Sequence, residues 1–188
     1  MADIFDLHLK DLVAIDFFVV PTATFEVLFV FIVLAHDRRR IVHFNVTEHP
    51  TAQWTAQQIV EAFPFDTAPK YLLRDGDGCY GRQVQRRIRS LGTKEVITAP
   101  ASPWQNPYVD RVIGSLRREL LDHVIVINER HLKRLMSSYL DYYHPWRTHR
   151  SLDQDAPVGR PVQIAKPDQI TEIPIVHGLH HYYLPMAA

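Results

Sequence analysis

The chain has 188 residues, 46% hydrophobic and 22% charged, and its 21 basic residues balance 21 acidic ones to a formal net charge of zero. This is the composition of a globular domain large enough to bury a core. It excludes binding of nucleic acid through overall charge, so any such binding depends on local patches. Cys79 is the only cysteine, which excludes an intramolecular disulfide and zinc sites built from several cysteines.

No export or membrane signal is evident. The N-terminus M-A-D-I-F-D carries early acids and lacks a basic segment followed by an apolar one, so no signal peptide is predicted. The uninterrupted apolar run 27–35 has nine residues, far short of a membrane span, and reads as a buried strand. We therefore expect a cytoplasmic protein with no membrane partner.

The first half of the chain predicts four strands and two helices. Strands 11–20, 25–35 and 41–46 form an antiparallel meander, with a polar turn at 36–40 between the second and third. A helix capped by Thr51 extends to about Phe63. A short strand at 70–74 ends at Asp75, and a basic helix from about Gly81 to Leu91 is stopped by Gly92.

The second half begins with a fifth strand, 93–98, and a turn-rich loop that ends at Gln105. Asn106 is a predicted N-cap and Pro107 suits the first helical position. The apolar face of the helix that follows is made of Val109, Val112, Ile113, Leu116 and Leu120. A further helix spans 129–143, and segments 173–176 and 181–184 pair as a hairpin. The order predicts an α/β fold, a mixed five-stranded sheet flanked by helices.

Three acids stand where a catalytic site needs them. Asp16 lies inside an apolar strand, where a carboxylate is costly unless a charge or metal compensates it. Asp75 ends the fourth strand, and Asp110 lies in the first turn of a helix. If the first and fourth strands are neighbours, these carboxylates converge and suit Mg²⁺ or Mn²⁺. Two such ions, about 3.5–4 Å apart, activate an attacking oxygen and stabilise the leaving oxygen of a phosphodiester.

Two other acids compete for these roles. Asp77 is a rival to Asp75, and its residue type also suits a turn. Glu119 lies nine residues after Asp110, which is about half a turn away around the helix at about 100° per residue, so it faces the wrong side.

The basic residues fall into clusters that either face solvent or hold phosphates. Beside a carboxylate trio, the second interpretation is favoured. Trp104 could contact DNA or pack as a lid on the core. The candidate DNA-binding residues are Arg82, Arg86, Arg87, Trp104, Gln105, Arg111, Arg117 and Arg118. The histidines 177, 180 and 181 fit surface positions better than a zinc site, and His43 fits a structural role.

Four stretches, taken in order, resemble a known family. They are L-V-A-I-D-F-F-V-V-P-T-A-T-F, L-L-R-D-G-D-G-C-Y-G, S-P-W-Q-N-P-Y-V-D-R-V-I-G-S-L-R-R-E-L-L-D-H and Y-Y-H-P-W-R-T-H-R-S-L. They are similar to the integrase catalytic domain of DDE transposases and retroviral integrases, above all to transposases of bacterial insertion sequences. The resemblance covers about residues 8–162, and the 34 residues between Asp75 and Asp110 are close to the family's usual spacing.

The resemblance implies a ribonuclease H-like fold in which Asp16, Asp75 and Asp110 bind two Mg²⁺ or Mn²⁺ ions. It also implies DNA as the substrate and a homo-oligomer as the working form. The family's third acid is normally Glu, and Asp110 is one methylene shorter, about 1.5 Å. The usual N-terminal helix-turn-helix region is not seen before the first strand, so a fragment, a split product or a degraded copy is expected.

The sequence therefore predicts an integrase catalytic core domain at 1–162 and a C-terminal tail at 163–188. Its predicted function is metal-dependent DNA nicking and strand transfer, in a form that is truncated or impaired. The alternative is a catalytically silent DNA-binding or oligomerisation fragment that regulates transposition. A third hypothesis is a ribonuclease H-like nuclease without strand transfer.

Overall fold

A computed structural model describes residues 9–65, 67–77, 80–99, 105–161 and 169–186. The chain forms two compact units, Met1–Leu132 and Lys133–Ala188, and the division falls inside the fourth helix. The predicted domain boundary at residue 162 lies outside the described residues and stays a prediction.

The first unit is built on a mixed five-stranded sheet. Its strands are β1 (Leu12–Pro21), β2 (Val27–Ala35), β3 (Arg40–Thr47), β4 (Tyr71–Arg74) and β5 (Lys94–Ile97). The spatial order is β3-β2-β1-β4-β5, with β1 to β3 antiparallel and with β4 and β5 parallel to β1. The predicted mixed sheet flanked by helices is confirmed, and β1 and β4 are neighbours as the carboxylate hypothesis requires.

Two helices cover one face of this sheet, α1 (Ala52–Ala62) and α2 (Arg82–Ser90). The Thr51 side chain accepts a hydrogen bond from the Trp54 N–H at 3.2 Å, so the predicted cap is present. The core between these helices and the sheet contains Val13, Ile15, Phe31, Val33, Ile59, Leu72, Val84 and Ile88. Gly92, with φ 71°, ends the α2 segment as predicted.

The other face of β1 carries the alternate residues Leu12, Ala14, Phe18 and Val20, all buried. Helix α3 (Pro107–Glu119) contacts β1 and buries its predicted apolar face, Val109, Val112, Ile113 and Leu116. Because the core cluster under α1 and α2 contains no α3 residue, we assign α3 to this second face. That is also the face toward which Asp16 points by alternation.

The second unit contains most of helix α4 (Glu129–Tyr143) and a hairpin of β6 (Ile170–Ile175) and β7 (His180–Pro185). The predicted helix and the predicted hairpin are therefore present, the hairpin being longer than expected. His180 stacks on Tyr142 with ring centroids 4.4 Å apart, and Tyr182 stacks on Trp146 at 4.2 Å. In the described part of the chain, no helix is long and apolar enough to cross a membrane.

Three local predictions need correction. Phe25 does not open β2, because it lies in a turn with φ 64° and is 93% exposed; that turn is closed by hydrogen bonds from the Phe25 N–H to the Thr22 carbonyl and from the Thr22 N–H to the Glu26 carbonyl. Asn106 is the N-cap residue of α3 and Pro107 is its first residue, as predicted, yet the Asn106 side chain makes no capping hydrogen bond. The polar turn at 36–40 contains a buried residue, since His36 is 1% exposed.

Candidate active site

Asp16 is the one acid inside the apolar strand β1. The four residues before it, Leu12–Ile15, are buried, whereas Asp16 is half-buried. Its Oδ1 accepts a hydrogen bond from the Phe17 backbone N–H at 2.7 Å. The strand therefore holds Asp16 partly buried. The contact that offsets the burial of its carboxylate is one backbone hydrogen bond.

Asp75 lies level with Asp16 on the neighbouring strand. Ala14 pairs with Leu73 in the parallel register of β1 and β4, and each acid follows its strand's member of that pair by two residues. The chain leaves the sheet at Asp75, so its carboxylate stands at the end of β4 rather than within it. The neighbouring strands β1 and β4 thus place the two acids beside each other, the arrangement that the carboxylate hypothesis requires.

The turn after β4 separates the roles of Asp75 and Asp77. The Asp77 N–H donates to Asp75 Oδ1 at 3.2 Å, and the Tyr80 N–H donates to the Asp77 carbonyl at 3.2 Å. Asp75 is half-buried, whereas Asp77 is exposed. Tyr80 is 3% exposed and packs against Phe17, with ring centroids 5.9 Å apart. This geometry supports Asp75 as the site residue and Asp77 as part of the turn.

Asp110 reaches the site from α3. It lies in the first turn of that helix, and its side chain is exposed. Its pKa is raised above the ordinary value, first by partial burial and then by the negative charge of Asp75. The shift indicates that Asp110 and Asp75 are within electrostatic range of each other. Glu119 is the last residue of α3, at the opposite end of the helix from Asp110.

The strongest electrostatic signal is on Asp16, whose pKa is raised to about 7. Desolvation by burial is the largest cause, and the negative charges of Asp75, Asp110 and Asp77 add to it, against a lowering effect of the Phe17 N–H. Even so, among the described residues no three His, Cys, Asp or Glu side chains group tightly enough to hold a metal ion. The acids therefore interact electrostatically, but among the described residues they are not close enough together to form a complete set of metal ligands.

Most of the predicted DNA-binding residues face solvent. Arg82, Arg86 and Arg87 are exposed on α2, and Arg111, Arg117 and Arg118 are exposed on α3. Gln105 is half-buried, and its side-chain oxygen accepts the Ala99 N–H at 2.8 Å, which ties the exit of β5 to the start of α3. Trp104 lies outside the described residues. Arg86 and Arg87 line a groove of about 830 Å³ between α1 and α2, together with Trp54, Gln57, Gln83 and Ser90.

Sequence reasoning missed a buried ion pair beside the site. Arg74 is 2% exposed, and its Nε lies 2.7 Å from Glu95 Oε1 on β5. Its Nη1 donates to the Asp75 carbonyl at 2.5 Å, and its guanidinium lies 5.0 Å from the centre of the Tyr80 ring. The signal that could have found Arg74 is its place in a buried strand, directly before the predicted catalytic acid.

Comparison with known proteins bears on the fold of the chain. Residues 91–157 match the family model described as Integrase core domain. No curated protein sequence matches the chain. Because that match covers about a third of the chain, the solved structures carry the comparison for the rest of the fold.

Three solved structures are similar over most of this chain. A chain of the simian T-cell lymphotropic virus intasome in complex with PP2A regulatory subunit B56 gamma is 15% identical, with a TM-score of 0.64, over 84% of this chain and 59% of that one. The HTLV-2 integrase catalytic core domain in complex with magnesium is 10% identical, with a TM-score of 0.59, over 79% and 93%. The Mos1 transposase catalytic domain with raltegravir and Mn is 13% identical, with a TM-score of 0.62, over 74% and 75%.

The fold is therefore the ribonuclease H-like fold of integrase and transposase catalytic domains. The family resemblance inferred from the sequence is confirmed, and the Integrase core domain match adds to it over residues 91–157. This chain spans 59% of the length of the intasome chain.

Proposed function

We propose that this chain is the catalytic domain of a DDE-type transposase, a metal-dependent polynucleotidyl transferase that nicks DNA and joins the freed 3′ end to target DNA. One observation carries the proposal. Asp16 and Asp75 stand on the neighbouring strands β1 and β4, and Asp110 stands on α3. Burial first, and then the negative charges of Asp75, Asp110 and Asp77, raises the pKa of Asp16 to about 7. An ordinary structural carboxylate is instead placed next to a cation or several N–H groups.

The donor chemistry of these acids fits Mg²⁺ or Mn²⁺, which prefer carboxylate oxygens. Asp16 is half-buried, and the contact that lowers its pKa is a single backbone N–H, so a bound cation would supply the missing positive charge. When bound, two such ions would supply activation of the attacking oxygen and stabilisation of the leaving oxygen of the phosphodiester. The chain's own part is to hold Asp16 and Asp75 beside each other on β1 and at the end of β4, and to bring Asp110 to them on α3.

The proposal includes DNA as substrate and self-association as the working state. The exposed arginines on α2 and α3 suit phosphates, and such contacts position DNA without reading its sequence. The structural neighbours include a dimeric form of the HTLV-2 integrase core, which motivates the expectation of a homo-oligomer. The cytoplasmic location expected from the sequence belongs to the same proposal.

The test is nicking and strand transfer on short DNA duplexes with Mg²⁺ or Mn²⁺. The parent chain is compared with Asp75→Asn, which keeps the side chain's shape, and with Asp110→Glu, which restores the length usual in the family. We expect Asp75→Asn to lower the rate at least about a hundredfold, since even residues that only support metal ligands cost 10–100-fold. We expect Asp110→Glu to raise it. Activity that Asp75→Asn leaves unchanged would overturn the proposal.

A catalytically silent DNA-binding or oligomerisation fragment is the second candidate. The shorter side chain of Asp110 favours it, as does the lack of a tight three-residue ligand group among the described residues. DNA binding without metal-dependent cleavage in the parent and in Asp110→Glu would support this candidate. Recovery of cleavage in Asp110→Glu alone would identify a decayed enzyme.

A further inference from the structure

We propose that Arg74 is a positioning residue that fixes the Asp75 carboxylate by holding the turn after β4 at its two ends. The inference rests on the proposed function for its catalytic meaning. Its structural content, that Arg74 fixes the Asp75 turn, stands on contacts in the first unit alone.

Arg74 contacts the residue that follows it, the far end of the turn and the neighbouring strand β5. Its Nε pairs with Glu95 on β5 at 2.7 Å, and its Nη1 donates to the carbonyl of Asp75 at 2.5 Å. Its guanidinium also lies 5.0 Å from the centre of the Tyr80 ring, at the far end of the turn. One planar, multidentate cation can satisfy all three partners at once, which the point charge of a lysine cannot.

The turn has further contacts that would transmit this constraint to the carboxylate. The Asp77 N–H holds Asp75 Oδ1 at 3.2 Å, and the Tyr80 N–H holds the Asp77 carbonyl at 3.2 Å. Beyond Tyr80, a Cβ on Gly81 would come within 3.2 Å of the Ala52 Cβ, so the start of α2 packs tightly on α1. Removing the guanidinium would therefore release the turn at two places: at the Asp75 carbonyl and at the buried ring of Tyr80.

A purely structural role predicts something different. If Arg74 only neutralises Glu95, then removing both charges together restores everything the pair provides. If Arg74 positions Asp75, the same double change restores folding and leaves the turn loose. The decisive variant is therefore Arg74→Met/Glu95→Met, with Arg40→Met, an exposed arginine at the start of β3, as the matched control.

The first measurement is amide hydrogen exchange on the full chain without metal. We expect the Asp77 and Tyr80 amides to exchange at least about tenfold faster in the double variant, with the β1 and β2 amides unchanged. Exchange at these two amides equal to that of the parent, in a folded double variant, would overturn the inference. If the double variant does not fold, Arg74→Lys takes its place, with the same expected direction.

The second measurement is the Mn²⁺ concentration that gives half-maximal DNA nicking. We expect it to rise about 10–100-fold in the double variant, the range typical of residues that orient metal ligands, while the rate at saturating Mn²⁺ largely recovers. A merely less stable protein would lose activity in proportion at every Mn²⁺ concentration. If the parent chain does not nick DNA, the proposed function fails, and hydrogen exchange still decides whether Arg74 holds the turn.

Discussion

Arg74 and Asp16 are both ionisable side chains withdrawn from solvent on the neighbouring strands β4 and β1, and their surroundings are opposite. Arg74 is 2% exposed and has a carboxylate, a carbonyl and an aromatic ring around its guanidinium. Asp16 has one backbone N–H and three negatively charged neighbours. The difference separates a charge that the fold compensates from one that these contacts leave largely uncompensated.

This contrast has a thermodynamic side. A paired buried charge stabilises the fold only relative to the loss of its partner, because desolvation offsets most of the attraction. An uncompensated buried carboxylate is a standing cost, which the protein lowers by keeping the proton. Removing the charge of Arg74 alone should therefore destabilise the fold, whereas removing the charge of Asp16 should stabilise it.

The largest expected effect is at Arg74. Arg74→Met leaves Glu95 buried without its cation and should lower the free energy of unfolding by about 3–5 kcal/mol, whereas Arg74→Met/Glu95→Met should return to within about 1 kcal/mol of the parent or exceed it. Urea unfolding followed by circular dichroism measures both. A double variant as unstable as the single one would show that the pair does not explain the stability of this region.

The next largest effect is expected at Asp16, where removing the charge should stabilise the fold. Its pKa is raised from 3.8 to about 7 in the folded chain, so the folded state keeps a proton that the unfolded state has lost between these values. The contribution of Asp16 to the free energy of unfolding is therefore complete below about pH 4 and is lost as the pH rises to about 7. Asp16→Asn, which does not titrate, should be more stable than the parent by about 1–3 kcal/mol at pH 8.

The measurement is thermal unfolding from pH 4 to pH 8 with a chelator present. The advantage of Asp16→Asn should shrink towards zero as the pH falls to 4, and the same variant should lose metal-dependent nicking. An Asp16→Asn variant that is less stable than the parent at pH 8 would mean that Asp16 has a compensating partner. Asp16 would then be a compensated charge like Arg74, and the difference between the two residues would not hold.

A smaller effect with the reverse sign is expected at His36. Its ring nitrogens are buried, without a hydrogen-bond partner among the described residues, and it packs edge-on to Tyr108 at 5.0 Å. Burial, and then the charge of Arg39, lowers its pKa from 6.5 to about 4, against an opposing effect of Asp37. The unfolded state therefore takes up a proton first, and stability present above pH 6.5 is lost as the pH falls towards 4.

His36→Phe should remove this loss and exceed the parent by about 1–2 kcal/mol at pH 5, with little difference at pH 8. The check is urea unfolding at both pH values, with His49→Phe at an exposed position as the control. Equal pH dependence in parent and His36→Phe would contradict the assignment. Because Asp16 and His36 act in opposite directions over the same pH range, the parent alone should show a shallow profile.

The same contrast explains what the sequence could and could not predict. An acid inside L-V-A-I-D-F-F-V-V is visible as a conflict between an apolar strand and a charge, so Asp16 was predictable. The Arg74–Glu95 pair depends on the parallel register of β4 and β5, which local patterns do not specify. The sequence places His36 in a polar turn and does not predict its burial. That burial involves packing against Tyr108, which is 72 residues away in the sequence.

The element order followed from hydrophobic periodicity, and it was sufficient for the fold. Helix α3 buries Val109, Val112 and Leu116 as predicted. Asn106 occupies the N-cap position without a capping hydrogen bond from its side chain. A residue type that favours a cap does not determine where its side chain points. Sequence patterns thus located the elements and the acids, and left the buried contacts between elements to the structure.

The smallest expected effect on stability is at the exposed arginines, where the contrast with Arg74 is greatest. Arg86 is exposed on α2 and lines the groove with Arg87 and Trp54, so Arg86→Gln should change the free energy of unfolding by less than about 0.5 kcal/mol. Under the proposed function it should instead weaken DNA binding and reduce the slope of log K against log salt by about one. Fluorescence anisotropy with a labelled duplex measures the slope, with exposed Arg40→Gln as the control. If Arg86→Gln and Arg40→Gln give the same slope as the parent, then the groove does not hold DNA, and the arginines of α2 are only its solvated face.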